Sequence, residues 1–271
     1  ADCVEIYLRQ GGHWEPAYWE LMRRVADFVA DNWQRPGHDI WELGQAEHWV
    51  NSKMLCWVAL DRAIRIARRI GKLDSIDRWD CEMAAIHREV MDRGWENSFV
   101  QRYGADNLDS AVLLGPVLGF LPVSHPRVLG TVVRLREQLG DHGMLRRFRA
   151  EATPDGGPPG EGAFNPCTLW LITTLAMAGW ANEAEYLLDE VSRVAEPLGL
   201  MPEEADPVTG EMMGNFPLLF SQIELVRAGL WLPQATLGRK ARTMGIMAWQ
   251  KGMDLAEEGM ERLGEWLRAR R

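Results

Sequence analysis

Helical segments that are apolar all round alternate along this chain with segments that are apolar on one side only. In order, the pairs of apolar and amphipathic segments are 108–120 and 126–139, 162–178 and 182–198, and 216–230 and 237–270. A helix that is apolar on every side must be buried, whereas an amphipathic helix can cover it from outside. The alternation therefore predicts an all-α toroid of helical hairpins, an inner ring of helices enclosed by an outer ring.

The first third of the chain continues this pattern. Apolar residues recur near the 3.6-residue period over 14–33, 47–70 and 76–93, and Gly71 and Gly94 stand where the last two of these helices would end. About five hairpins of a six-hairpin toroid are then present, so we expect residues 1–271 to form one incomplete domain. The start ADCVEIYLRQ has no methionine, and we interpret the chain as lacking an upstream part.

Charge and composition exclude several classes of partner. The formal net charge is −9, which disfavours nucleic acid and anionic membranes, and no apolar run is long enough to span a bilayer. The six histidines lack the spacing of metal ligands, so we expect neither a metal nor a cofactor. Four scattered cysteines without a CxxC pair favour buried thiols at Cys56 and Cys167 and a cytoplasmic location. The oligomeric state stays open.

The long loops are the best candidates for function. They span 31–46, 94–107, 140–161 and 199–215, and they are rich in Gly, Pro, Asp and Trp. Each precedes an inner helix, which places all of them on one face of a toroid, around the mouth of its cavity.

Two of these loops carry carboxylates beside apolar neighbours. One contains His38-Asp39-Ile40-Trp41-Glu42, and the other runs from Met201-Pro202-Glu203-Glu204 to Pro207. Two carboxylates that face each other across a cleft can hydrolyse a glycosidic bond by acid/base catalysis. The alternative is that Glu42 and Glu203 are ordinary surface acids.

Five segments, in the same order, resemble glycoside hydrolase family 15, the group of glucoamylases, glucodextranases and bacterial trehalase-like enzymes. They are DIWE at 39–42, NSKMLCWVALDRAIRIA at 51–67, FVQRYGADNLDSAVLLGPVLGFLP at 99–122, EGAFNPCTLWLITTLAMAG at 161–179 and LGLMPEEADPVTGEMMGNFPLLFSQ at 198–222. The resemblance implies the C-terminal part of an (α/α)6 catalytic domain. It also implies an inverting, exo-acting hydrolase that releases glucose from a small α-glucan or an α-linked disaccharide.

The resemblance also assigns roles to residues. Glu42 would be the general acid and Glu203 the general base. The residues that would contact the sugar are Asp39, Trp41, Arg149, Phe164 and Glu204. Other readings stay open for four of these: Asp39 as a loop cap, Arg149 as a surface salt bridge, Phe164 as a core contact and Glu204 as a solvated loop acid.

The chain also departs from the family pattern. An upstream hairpin with an Arg-Asp segment that grips the terminal glucose is absent, Leu218 and Gln222 replace Gln and His, and Asn51 stands where His is frequent. These changes leave open a non-catalytic sugar-binding or assembly module, or an inactive fragment. A different toroid enzyme, such as a uronate lyase, would need Tyr/His or Arg/His pairs, and the loops here offer mainly Glu.

Overall fold

A computed structural model describes residues 1–149, 160–196 and 198–243, with side chains through 235. Within these ranges the α-helices are α1 (Asp2–Arg9), α2 (Pro16–Asn32), α3 (Val50–Ile70), α4 (Ile76–Arg93), α5 (Leu114–Val117), α6 (Pro126–Gln138), α7 (Asn165–Met177), α8 (Ala181–Ser192) and α9 (Leu219–Thr243). The strands are β1 (Gly140–Asp141), β2 (Met144–Leu145), β3 (Ala163–Phe164), β4 (Glu204–Ala205) and β5 (Met212–Met213). Short 3-10 helices span Ser110–Leu113 and Arg193–Ala195.

The described part of the chain contains an inner arc made of every second helix from α3 onwards. Helix α3 packs against α5, α5 against α7, and α7 against α9. Helices α2 and α4 pack on α3, and α8 packs on α7 and α9. The two layers follow the alternation in the sequence. A count of about five hairpins remains a prediction, because residues 244–271 lie outside the described ranges.

Helix α7 is the most buried element of this arc. Every residue from Asn165 to Ala176 is buried, and Leu169, Leu171 and Ile172 are at most 1% exposed. Each such side chain stabilises the fold by about 1.5–3 kcal/mol. Because α7 is enclosed on all sides, its N-terminal end is a rigid base for the loops that meet there.

Two helices differ from the sequence prediction. Residues 108–120 form only a 3-10 turn and the one-turn helix α5, because the Asp109 side chain accepts a hydrogen bond from the Ala111 amide and Gly119, at φ 91°, follows closely. Helix α9 continues through the turn expected between 230 and 237, with Pro233 inside it. Of the amphipathic segment 237–270, only residues up to 243 are described.

The strands connect loops that are distant in sequence. Strands β1 and β2 form an antiparallel pair, and β3, β4 and β5 form a second antiparallel sheet. In that sheet Phe164 pairs with Glu204, and Glu204 pairs with Met213. The short sheet thus fixes the loop before α9 to the start of α7. Among the described helices, none is long and apolar enough to cross a membrane.

Candidate active site

The first carboxylate lies in the loop between α2 and α3, called here the Glu42 loop (residues 33–49). Asp39 is 8% exposed, and its Oδ1 accepts hydrogen bonds from the backbone amides of Trp41 and Leu43, each at 3.1 Å. These bonds close a tight turn in which Glu42 adopts φ 55°, a conformation that costs a non-glycine residue about 1 kcal/mol. Burial raises the pKa of Asp39, opposed by these backbone bonds. The Glu42 side chain is exposed at the apex of the turn.

The Trp41 side chain anchors this turn to the protein interior. Its ring centroid lies 5.3 Å from that of Phe164, 6.1 Å from Trp170 and 6.4 Å from Phe148. Its indole Nε1 donates to both carboxylate oxygens of Asp109, at 3.0 and 2.9 Å. The residue before Glu42 is therefore held by three rings and one buried carboxylate.

The second carboxylate lies in the loop between α8 and α9, called here the Glu203 loop (residues 199–218). Glu203 Oε2 accepts hydrogen bonds from the Asn215 backbone amide at 3.0 Å and from its Nδ2 at 2.7 Å. Gly214, at φ 70°, passes so close that an added Cβ would lie 2.9 Å from the same oxygen. The glycine and the asparagine together form a small cradle for the Glu203 carboxylate.

Glu204 has a different environment from its neighbour. Successive side chains of a strand point to opposite faces, and Glu204 Oε2 accepts a hydrogen bond from the Gly162 amide at 2.8 Å. Burial raises the pKa of Glu204, and the nearby Glu161 and Glu203 carboxylates raise it further. Glu204 thus joins the Glu203 loop to the segment that leads into α7, so it is not simply a solvated loop acid.

The two carboxylate loops, about 160 residues apart in the chain, meet at Phe164. The Phe164 backbone pairs with Glu204, and its ring contacts Trp41. At the next residue, the Asn165 amide donates to the Glu203 carbonyl at 2.9 Å. The N-terminal end of α7 therefore holds both loops, and it places the residues next to Glu42 and next to Glu203 against one aromatic side chain.

Of the arginines before α7, Arg147 is the one among these rings. Its guanidinium carbon lies 5.2 Å from the Phe164 ring centroid and 5.6 Å from that of Trp41, and Nη2 lies 2.5 Å from Glu161 Oε1. Arg149, which the sequence favoured, is exposed, and its Nε donates to the Gln138 carbonyl at 3.1 Å. Arg149 stands two residues after Arg147, where the chain has turned towards the surface. The structure therefore does not place Arg149 against Trp41 and Phe164.

Comparison with known proteins agrees with this geometry. The family model described as glycosyl hydrolases family 15 matches residues 2–193 and 181–230. The chain belongs to this family.

The chain is similar to individual relatives and solved structures over part of their length. It is 34% identical over 230 residues to a trehalase of Mycolicibacterium smegmatis, a match that covers 84% of this chain and 34% of that protein. A trehalase of Thermoplasma volcanium is 34% identical over 245 residues, which cover 89% of this chain and 39% of that protein. A bacterial glucoamylase solved with acarbose superposes with a TM-score of 0.70 at 14% identity, over 81% of this chain and 39% of that chain. The fold is thus the family 15 toroid, and the chain spans about a third of the length of the curated relatives it matches.

Three positions depart from the family 15 pattern, and the structure locates them. Gln222 donates from Nε2 to the Gly199 carbonyl at 3.1 Å, and the Leu218 amide donates to the Met201 carbonyl at 3.0 Å, so both brace the Glu203 loop. Asn51, in the first turn of α3, is 3% exposed. Leu218 therefore lies at the end of the Glu203 loop, and Gln222, in the first turn of α9, bonds to the first residue of that loop.

Sequence reasoning missed Arg147, Asp109 and Asn215. Arg147 is one of three arginines within residues 146–149, and the sequence does not show which of them points towards the aromatic rings. Asp109 precedes an apolar segment, a position typical of a helix cap, so the sequence gives no reason to expect its bond to Trp41. Asn215 follows a glycine in the Gly-Asn-Phe-Pro run, the one available signal of a tight turn near Glu203.

Metal ligands and disulfides do not contribute to the described site. Within the part of the chain that the structure describes, no three His, Cys, Asp or Glu side chains converge as metal ligands would. All four cysteines are free thiols; Cys167 is buried, as expected, and Cys56 is only half-buried.

Proposed function

We propose that this chain carries the acid/base site of an inverting, exo-acting α-glucoside hydrolase, with Glu42 as general acid and Glu203 as general base. The observation that supports this most is the meeting of the two carboxylate loops at Phe164. Inversion requires one carboxyl to protonate the leaving oxygen and another to activate water on the opposite ring face, with roughly 6.5–9.5 Å between them.

The two carboxylates suit different steps. Glu42 is exposed at the apex of its turn, where a leaving-group oxygen can reach it. Both hydrogen bonds from Asn215 go to Glu203 Oε2, which fixes the carboxylate and leaves Oε1 to accept a proton from the attacking water. A fixed base and an accessible acid are the arrangement that this reaction requires.

The sugar contacts that we propose surround this pair. Trp41, which is partly exposed, offers apolar ring surface with the buried Phe164 ring packed against it, and Asp39 Oδ2 is buried without a hydrogen-bond partner. Arg147 Nε is likewise buried and unpartnered, so we propose Arg147, in place of Arg149, as the arginine that binds a sugar hydroxyl. Glu204 supports the site by accepting a hydrogen bond from the Gly162 amide.

Trehalose is the first substrate that we propose. Two relatives at 34% identity are named trehalases, and trehalose is an α-linked disaccharide of the size expected from the sequence. Cleavage with inversion would release one glucose as the β anomer from the attacked ring and one as the α anomer from the leaving ring.

Proton NMR of early trehalose hydrolysis tests the proposal. We expect equal amounts of α- and β-glucose before mutarotation, whereas a retaining enzyme would release α-glucose alone. No hydrolysis of trehalose or other α-glucosides, together with heat on titration with glucose or acarbose, would instead support a non-catalytic sugar-binding module.

A further inference from the structure

A single buried carboxylate links the two segments that supply the proposed acid and the proposed sugar-binding arginine. Asp109 is 3% exposed and begins the 3-10 helix Ser110–Leu113 by accepting a hydrogen bond from the Ala111 amide at 2.7 Å. Its carboxylate also receives the Trp41 indole N–H. A helix cap alone would need only the first of these bonds.

The segment around Asp109 also fixes the loop that carries Arg147. Asp109 forms an isolated antiparallel bridge with Phe148, and the Ser110 amide donates to the Arg147 carbonyl at 2.8 Å. The position of Trp41 relative to Arg147 is therefore set through Asp109.

Trp41 in turn determines where Glu42 lies. The two residues share a peptide bond within the turn closed by Asp39, and the Trp41 ring is packed against Phe148, Phe164 and Trp170. A rotation of the indole would move the turn, and a displacement of about 1 Å can cost 10²-fold in rate.

We propose that Asp109 is a positioning residue for catalysis, which acts through the Trp41 indole to hold Glu42 in place. This inference rests on the proposed function, in which Glu42 is the acid. Asp109 does not itself contact the sugar, since it lies beneath Trp41 and is buried.

The charge state of Asp109 affects its bond to Trp41, and this effect can be measured. Burial raises its pKa to about 7, the nearby Asp39 carboxylate adds to this, and the bonds from Ala111 and Trp41 oppose it. Oδ1 accepts from Ala111 and Trp41, and Oδ2 accepts from Trp41, so a proton on Oδ2 would face the indole N–H and remove one of these bonds. Asparagine at this position meets one donor with its own N–H, so it keeps the shape and loses one bond.

A double-mutant cycle between Asp109→Asn and Trp41→Phe tests the proposal. We expect Asp109→Asn to lower kcat on trehalose about 30-fold with KM within about twofold, because the acid is misplaced while binding is retained. The double variant should fall no more than about twofold below Trp41→Phe alone, since both remove the same bond. Additive losses, or an Asp109→Asn variant with unchanged kcat, would overturn the proposal.

The chain offers a matched control. Asp27 Oδ1 accepts the indole N–H of Trp79 at 3.1 Å, which joins the outer helices α2 and α4. Asp27→Asn breaks the same kind of bond away from the site, and we expect it to leave kcat unchanged.

A second readout does not depend on activity or on whether Asp109→Asn folds. In ¹⁵N NMR, the Trp41 indole signal of the unmodified chain should shift with pH around neutrality, and Trp41→Phe should displace the Glu42 amide signal. A Glu42 amide that stays in place contradicts the proposal even if no glucoside is hydrolysed. Absence of hydrolysis by the unmodified chain, with these shifts present, would count against the proposed function alone.

Discussion

The Glu42 loop and the Glu203 loop are held in opposite ways. The first is fixed from inside, by Asp39, by Asp109 and by the rings around Trp41, all of which are largely buried. The second is fixed at the surface, where exposed Asn215 and Gly214 surround the Glu203 carboxylate. The short sheet β3–β4–β5, the Phe164 ring and the Asn165 amide connect the two.

This difference separates stability from activity. Buried polar groups that lose a partner cost about 1–3 kcal/mol each, whereas exposed hydrogen bonds contribute little to folding. Substitutions that support Glu42 should therefore lower both stability and rate. Substitutions that support Glu203 should lower the rate and leave stability nearly unchanged.

The largest effect should come from the carboxylates themselves. We expect Glu42→Gln and Glu203→Gln each to lower kcat on trehalose about 10³-fold, because one proton transfer loses its group. The matched controls are Glu47→Gln in the first loop and Glu211→Gln in the second, which should retain kcat within about twofold. Near-normal turnover by either site variant would show that its carboxylate has no role in proton transfer.

Arg147 and Arg149 should differ clearly. Arg147→Met removes a largely buried cation beside Trp41 and Phe164, and we expect kcat/KM to fall about 10²-fold. Arg149→Met removes an exposed side chain, and kcat/KM should stay within about threefold. Steady-state kinetics on both variants measures this difference. A larger loss of kcat/KM in Arg149→Met than in Arg147→Met would support Arg149, the arginine predicted from the sequence, as the sugar contact.

Substitutions of Asn215 and Asp39 test the surface support of Glu203 against the buried support of Glu42. Asn215→Ala should lower kcat about tenfold, because Glu203 loses two donors, and should change the free energy of unfolding by less than about 0.5 kcal/mol. Asp39→Ala should lower that free energy by about 1–3 kcal/mol, because one buried and one partly buried backbone amide lose their acceptor. Urea unfolding of both variants would contradict the comparison if the two stability losses were equal.

The smallest effect is a pH dependence of stability that has opposite sign near the two loops. The folded-state pKa of Asp109, about 7, exceeds the ordinary aspartate value of 3.8, so its contribution is full at low pH and is lost as pH rises toward 7. In the Glu203 loop, bonds from the Thr209 and Val208 amides lower the pKa of Asp206, so its contribution is lost as pH falls through the acid range.

Urea midpoints at pH 3, 4.5 and 7 measure these contributions. The stability difference between the unmodified chain and Asp109→Asn should favour the unmodified chain more at pH 4.5 than at pH 7. Asp206→Asn should cost more stability at pH 7 than at pH 3, because the lowered pKa of Asp206 places the loss of its contribution below the ordinary range of a carboxyl. Equal differences at the two pH values compared for a variant would mean that its carboxylate does not titrate as its surroundings imply.

Helix positions followed from the sequence wherever periodicity was strong. The amphipathic segment 76–93 has the bounds of α4, because a glycine and a polar loop flank it. The apolar segment 108–120 carries no such period, and Gly115 lies so close to α3 that an added Cβ would be 2.4 Å from Met54 Sδ. Tertiary packing, which the sequence pattern does not contain, shaped that region.

The site followed from the sequence in part, for a related reason. Glu42, Trp41 and Phe164 lie in sequence motifs that could be recognised directly, and the structure brings their loops together. Arg147 and Asp109 depend on which way a loop residue turns and on a bond across 68 residues of chain. Such long-range partners are invisible without the fold.

The most direct test of the acid/base assignment compares trehalose with α-glucosyl fluoride, whose leaving group needs no proton. We expect Glu42→Gln to lose about 10³-fold on trehalose and less than about tenfold on the fluoride, while Glu203→Gln loses about 10³-fold on both, since each substrate needs activated water. Equal losses of Glu42→Gln on the two substrates, or a Glu203→Gln variant that still hydrolyses the fluoride at the unmodified rate, would contradict the account.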